Sequence, residues 1–139
     1  MSCVQDMIEQ AHKAIEIYPI WLCPARFTKF EGSGQDYQRY VKWSSDDVIV
    51  DVGFYGFTNV PGFKRTPVHR QLEDACLEIG GIIGLYADTY LSREQFDGMY
   101  YNWSRLYESE RKKDPLTAKA FPHVYEKISS LGRTNIVKD

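Results

Sequence analysis

At 139 residues, with 43% hydrophobic and 26% charged side chains, the chain fits one compact soluble domain and is too short for a large multi-domain enzyme. A domain of this size buries roughly 70% of the surface its unfolded chain exposes, enough for a core without disulfides or metal. The net charge of −2 supplies no field that would attract phosphates or anionic lipid, which argues against a nucleic-acid partner.

Val4, Met7, Ile8, Ala11 and Ile15 recur at helical spacing and predict a surface helix over 3–16. Pro19 forbids its continuation, and Ile17 to Cys23 reads as a nearly all-apolar strand bounded by Pro24. A proline inside such a run points to an edge strand or a strand start. Residues 25–46 are polar, with Gly32-Ser33-Gly34 as a turn, and read as a long excursion of the functional or disordered kind. Val48 to Phe57 is the strongest strand signal: Val48, Val50, Val52 and Phe54 share one face, Asp51 and Tyr55 the other. With no helix between these two strands, antiparallel pairing is expected.

Thr66-Pro67 predicts a helix start, a cap followed by a first-turn proline. Val68, Leu72, Ala75, Cys76 and Ile79 then form one apolar stripe, and Gly80-Gly81 ends it. A third strand is expected over Ile82 to Asp88. Ser92-Arg93-Glu94-Gln95 matches a capping box, and Phe96, Met99, Tyr100, Trp103 and Leu106 continue as one helix to Asp114-Pro115. Arg111-Lys112-Lys113 reads as its solvated end. A last helix carries Val124, Tyr125, Ile128 and Leu131 and stops at Gly132. The order implies an α+β fold in a single domain over 1–139, a small antiparallel sheet with helices packed mainly on one face. Three strands make a thin sheet whose other face needs a partner.

Cys3, Cys23 and Cys76 are odd in number and lack C-x-x-C spacing, so they read as reduced packing residues in a cytosol-facing setting. No apolar run approaches the ~18 to 20 residues that cross a bilayer, and Met1 leads straight into a charged amphipathic segment with no signal peptide. His12, His69 and His123 are scattered, and no metal site is expected. Neither dinucleotide nor mononucleotide phosphate loops nor a nucleophile elbow is present. Aromatic residues make up 14% of the chain, which suits a flat apolar ligand or an interface as well as it suits an aromatic core. Two constellations remain. His69, Arg70 and Glu73 open a helix, where Arg70 and Glu73 at i, i+3 form either a surface ion pair or a ligand contact. Tyr86-Ala87-Asp88-Thr89-Tyr90 closes a strand, as either a ligand-facing mouth or a hydrogen-bonded turn with tyrosine packing.

Tyr18-Pro19-Ile20-Trp21-Leu22-Cys23-Pro24 resembles the Y-P-I-W-L-C-P signature of the delta-24 sterol reductases, the diminuto-like flavoproteins. Val50-Asp51-Val52-Gly53-Phe54-Tyr55-Gly56 resembles that family's D-I-G-x-Y-G strand, and Arg70-Gln71-Leu72-Glu73 its R-Q-L-E helix. Leu85-Tyr86-Ala87-Asp88 with Tyr90, then Arg93-Glu94 and Phe96, resembles its L-Y-A-D-x-Y and R-E-x-F segment. Ala120-Phe121-Pro122 with Val124-Tyr125 and Lys127-Ile128 resembles its A-F-P-x-V-Y-x-K-I close. The likeness runs from about residue 17 to 131. It departs at Ala25–Asp46, at Arg111–Thr117 and after Arg133.

The resemblance implies a vanillyl-alcohol-oxidase-like flavoprotein, in which an N-terminal domain binds FAD and a C-terminal α+β cap covers the flavin. This chain resembles the later part of such a cap, with the FAD-binding domain absent, and the isolated fragment is expected to bind neither FAD nor NADPH and to be inactive alone. The family's reaction is reduction of the carbon–carbon double bond in a sterol's side chain, with NADPH as hydride source and FAD as carrier. Its location is the cytosolic side of the endoplasmic reticulum membrane, through an N-terminal segment missing here. The implied partners are the sterol and the FAD-binding domain. Tyr86 and Asp88 are the expected catalytic pair, since the matching segment approaches the flavin in related proteins. Trp21, Phe54, Tyr55, Arg70 and Tyr90 are the expected sterol-binding residues. The alternative is a non-enzymatic binding or interaction module left by truncation of such a gene.

Overall fold

The structure, a computed structural model, describes residues 3–26 and 48–130, with only the backbone of 101–105 and 117. Its elements are α1 (Cys3–Ile15), β1 (Ile20–Arg26), β2 (Val48–Phe54), α2 (Arg65–Glu78), α3 (Arg93–Met99), α4 (Tyr101–Lys113), α5 (Pro115–Ala120) and α6 (Val124–Ile128). The fold is α+β, as expected. The chain divides into two compact units, one reaching to Gly81 and the other starting at Ile82.

In the first unit β1 and β2 pair antiparallel, with Ile20 opposite Phe54, Trp21 opposite Gly53, Leu22 opposite Val52 and Pro24 opposite Val50. Among the described residues no further strand flanks this ladder, so both strands are edges and Pro24 is tolerated inside β1. The strand begins at Ile20 rather than Ile17 because the backbone bends at Tyr18 and Pro19. Helix α1 packs against β2, and α2 packs against α1, with Ala11 and Ile15 buried. Helix α2 starts at Arg65, with Lys64 as an extended N-cap that has no side-chain cap bond. The expected Thr66 cap is therefore one of the first helical residues, and Pro67 stands where its missing N–H would have had no intrahelical partner. Its end follows expectation. Gly80, at φ 73, and Gly81 close a Schellman motif, with Gly80 N–H on Leu77 C=O at 3.0 Å and Gly81 N–H on Cys76 C=O at 2.8 Å. A β-carbon on Gly81 would stand 2.8 Å from Cys76 Sγ.

The second unit corrects the third strand. Ile82 to Asp88 forms no strand; Tyr86 N–H closes a tight turn on Gly84 C=O at 2.9 Å. Glycines at 80, 81 and 84 weaken a strand through backbone entropy, and the turn takes the pairing groups. What remains is one parallel bridge, Thr89 to Ser129. The Ser92 capping box forms as expected, with Gln95 N–H on Ser92 Oγ at 3.1 Å and Ser92 N–H on Gln95 Oε1 at 2.9 Å. The expected single helix breaks at Tyr100, whose φ of −114 and ψ of 31 leave the helical region. Leu91, Phe96, Met99 and Tyr100 form the core here. The basic run ends α4, but Arg111 is not merely solvated: it bonds Glu108 at 3.3 Å and Ala118 C=O at 2.7 Å, joining α4 to α5. Ala25 and Arg26, expected in the excursion, instead end β1, paired with Ile49 and Val48; the rest of the excursion and the stop at Gly132 fall outside the described residues.

Candidate functional site

The register of the hairpin decides which expected sterol contacts share a surface. Trp21 and Gly53 are opposite residues, so Trp21, Gly53 and Tyr55 lie on one face. Gly53 leaves room for the Tyr55 ring beside Trp21: a β-carbon built there would sit 2.7 Å from Tyr55 Cε2 and 3.3 Å from Trp21 Cβ. Both aromatic residues are more than half exposed, as is Phe57 just beyond. Phe54 is not part of this surface. It points to the opposite face with Ile20, Leu22 and Val52, as the alternation of β2 requires.

Arg70 lies on α2, at a shallow groove lined by Gln10, Pro67, Gln71, Asp74, Ala75 and Glu78. Its guanidinium Nε reaches Asp74 Oδ2 at 3.4 Å, one helical turn on, and it is His69 that faces Glu73, at 3.7 Å. This corrects the Arg70–Glu73 pairing. The i, i+4 alignment won over i, i+3, and Glu73 turned inward, where it is almost fully buried. Burial, reinforced by the Glu73 charge, pushes the Cys76 thiol up to about 11. Cys76 is thus a protonated packing thiol, and all three cysteines are free.

Tyr86 stands at a turn of the second unit and is 85% exposed. Its ring rests on Gly84, where a β-carbon would meet Cδ2 and Cε2 at 3.1 Å. Asp88 and Tyr90 are half-buried on either side of Thr89. Thr89 anchors the segment: its N–H donates to Ile128 C=O at 2.9 Å, its C=O accepts from Ser130 N–H at 2.9 Å, and its Oγ1 accepts from Leu91 N–H at 3.2 Å. The segment is a hydrogen-bonded turn, but without the expected packing of Tyr86, whose phenol is exposed.

The residue that sequence reasoning passed over is His123, only 2% exposed. It caps α6, with Nδ1 accepting the Tyr125 N–H at 3.1 Å while the His123 N–H donates to Glu126 Oε2 at 3.2 Å. The rings of Phe96 and Tyr107 meet it edge-on at 6.2 and 5.5 Å. Burial lowers its pKa below the ordinary 6.5, helped by Arg93 and opposed by Asp97, Glu108 and Glu126. The pattern His123-x-x-Glu126 was the available signal; it has the spacing of a capping box with histidine in place of serine. Among the described residues no cluster of three or more histidine, cysteine or acidic groups could hold a metal. No helix of the described residues is long and apolar enough to cross a membrane.

Comparison with known proteins ties these landmarks together. Over 133 residues, 96% of its length, the chain is 35% identical to the human delta(24)-sterol reductase. Over 134 residues it is 33% identical to the delta(24)-sterol reductase homologue of Caenorhabditis elegans, and over 125 it is 32% identical to the Arabidopsis thaliana delta(24)-sterol reductase. The chain belongs to the delta(24)-sterol reductase family. It spans about a quarter of the length of these curated relatives, 21–24%. No protein-family model matches it. No solved structure matches it either. Sequence and comparison thus agree on the family.

Proposed function

We propose that the chain is the substrate-covering part of a flavin-dependent sterol reductase, acting on the double bond of the sterol side chain with hydride from NADPH carried by FAD. The supporting observation is the likeness to delta(24)-sterol reductases over 94–96% of the chain, a span that takes in the aromatic face of the hairpin and the Tyr86–Tyr90 turn. Reducing an unpolarised double bond needs hydride on one carbon and a proton on the other; a bound flavin would supply the hydride. What these residues themselves contribute is recognition and proton supply. Trp21 and Tyr55 offer adjacent flat apolar rings, the surface a rigid sterol body requires. Tyr86 presents a phenol and Asp88 a carboxyl from one turn, groups able to hold or donate a proton. Arg70, tied to Asp74, acts through its helix, and Phe54 supports the hairpin from its other face.

In this reading the FAD-binding part, the NADPH contacts and the endoplasmic reticulum anchor belong to the rest of the protein, and the chain alone is colourless and inactive. A chimera tests it: this chain replaces the matching quarter of human delta(24)-sterol reductase, and reduction of desmosterol is measured beside flavin content. Retained turnover supports the reading. A chimera that folds and loads flavin yet leaves desmosterol untouched overturns it in favour of a non-enzymatic module.

A further inference from the structure

Helix α6 is only Val124–Ile128, far below the ~12 to 15 residues at which an isolated helix begins to hold in water. It depends on its cap and its tertiary contacts. Both ends of this short helix are committed. At its start, His123 Nδ1 takes the Tyr125 N–H. Along and beyond it, three bonds hold the segment that follows Tyr86: Thr89 N–H to Ile128 C=O and Ser130 N–H to Thr89 C=O, each 2.9 Å, and Tyr125 Oη–H to Leu91 C=O at 3.0 Å. The parallel bridge Thr89–Ser129 is the result.

A ring nitrogen that accepts an N–H carries no proton, so His123 is neutral, with its proton on Nε2, 3.8 Å from Glu108 Oε1. Protonation puts a second N–H at Nδ1, pointing at the Tyr125 N–H, and two donors cannot pair. The cap is then lost, and a charge sits among the Phe96, Tyr107 and buried core rings. From these contacts we infer that His123 is a proton-operated latch, whose neutral ring holds α6 and through it fixes Thr89 to Leu91, and whose protonation frees the Tyr86–Tyr90 turn.

The surrounding charges set the balance. From α3 Arg93 faces the ring as a repelling cation and Asp97 as an attracting anion; from α4 come Glu108 and the Tyr107 phenol; from α6 come Glu126 and Tyr125. Glu108 is shared with Arg111, whose guanidinium also covers the Tyr107 ring at 5.5 Å. Burial outweighs the three carboxylates. The sign follows: the folded pKa lies below the unfolded one, so the latch is fully closed above about pH 6.5 and loosens as pH falls towards the folded pKa. The latch stands whether or not the turn serves a sterol; that reading gives only its consequence, a sterol-facing turn that orders above this pH.

Hydrogen exchange of the full chain tests it, with protection factors at Thr89, Leu91 and Ser130 followed from pH 7.5 to 5. Protection should fall about tenfold for each unit by which folding lowers the imidazole pKa, starting at about pH 6.5 and levelling off at the midpoint of the His123 Cε1–H shift. Amides of α1 and α2 should stay level. His123→Asn keeps an acceptor for the Tyr125 N–H but cannot titrate, and should remove the pH dependence. If that variant is unfolded, the wild-type comparison decides alone. A Thr89 amide indifferent to the His123 titration, or equally pH-sensitive in a folded His123→Asn variant, overturns the latch.

Discussion

The aromatic residues on the exposed side of the hairpin and those around α3 have opposite fates. Around β1 and β2 they stand in water, with Phe57 99% exposed and Trp21 and Tyr55 above half. Around α3 they interlock: Phe96, 3% exposed, meets Tyr100 at 4.7 Å, Tyr125 at 5.2 Å and His123 at 6.2 Å. Helices approaching from several sides can enclose a ring, whereas a two-stranded hairpin has two faces and is marginal without covering layers. The buried rings account for stability and the exposed ones do not, which leaves the exposed ones available for contact.

Substitution should separate the two regions sharply. Phe96→Ala removes the ring at the centre of the second unit and should cost ~3 to 5 kcal/mol in urea unfolding. Phe57→Ala, on a residue wholly in water, should stay within about 0.5 kcal/mol. Equal losses would mean that the hairpin rings are structural after all. The first unit has a hidden side as well, and its thiol reports it. With Cys76 pushed from 9.0 to about 11, its thiolate fraction at pH 8 is about 100-fold below that of an ordinary thiol. The higher nucleophilicity of a more basic thiolate offsets part of this, so alkylation followed by peptide mass spectrometry should find Cys76 slower than glutathione by about tenfold or more. Labelling of Cys76 at the glutathione rate would remove the buried Glu73–Cys76 face.

A subtler change should leave stability alone and touch only the exposed face. Gly53→Ala places a methyl into the Tyr55 ring, and that ring can swing away because it is exposed at the hairpin end. The melting temperature should therefore barely move. In the human chimera, however, the sterol KM should rise several-fold as Trp21 and Tyr55 part, roughly the 0.5 to 1.5 kcal/mol expected of a lost aromatic contact. A large drop in melting temperature instead would make Gly53 a packing residue.

Legibility followed the same division. Periodicity marked α1 and alternation gave the faces of β2, because both depend on local repeat, while the antiparallel pairing followed from the lack of a helix between the strands. The Schellman end at Gly80-Gly81 and the Ser92 capping box were readable for the same reason. Ile82–Asp88 misled because its apolar residues look like strand while Gly84 and the turn at Tyr86 decide otherwise. The break at Tyr100 was invisible, since the apolar spacing runs through it. Glu73 and His123 were hidden because burial of a polar group depends on what packs against it; the spacing of His123 and Glu126 pointed to a cap but not to its burial. In the hairpin, alternation along β2 already set Phe54 apart from Tyr55, but only the register placed Trp21 on the Tyr55 face.

The smallest expected effect concerns Tyr86, and it separates the two roles its position allows. Its ring rests on Gly84 while most of the residue faces water, so neither core packing nor the fold depends on the hydroxyl. Tyr86→Phe should change stability by less than about 0.5 kcal/mol. In the flavin-loaded chimera its turnover answers the chemical question. A phenol that donates the proton to the sterol carbon would make the Phe variant ~100-fold slower at unchanged KM, the range of general acid catalysis. A phenol that only walls the site would leave kcat intact, while Tyr86→Ser, which removes the ring, would raise KM. The wall is the expected result, because the ring's support on Gly84 fixes its plane while its hydroxyl needs no partner to hold that pose. Steady-state kinetics of both variants at pH 7.5, above the range in which His123 protonates, keeps the turn ordered during the comparison. A Phe variant at wild-type rate takes Tyr86 out of proton transfer and leaves Asp88 as the acid to examine, whereas a hundredfold loss makes the hydroxyl the donor.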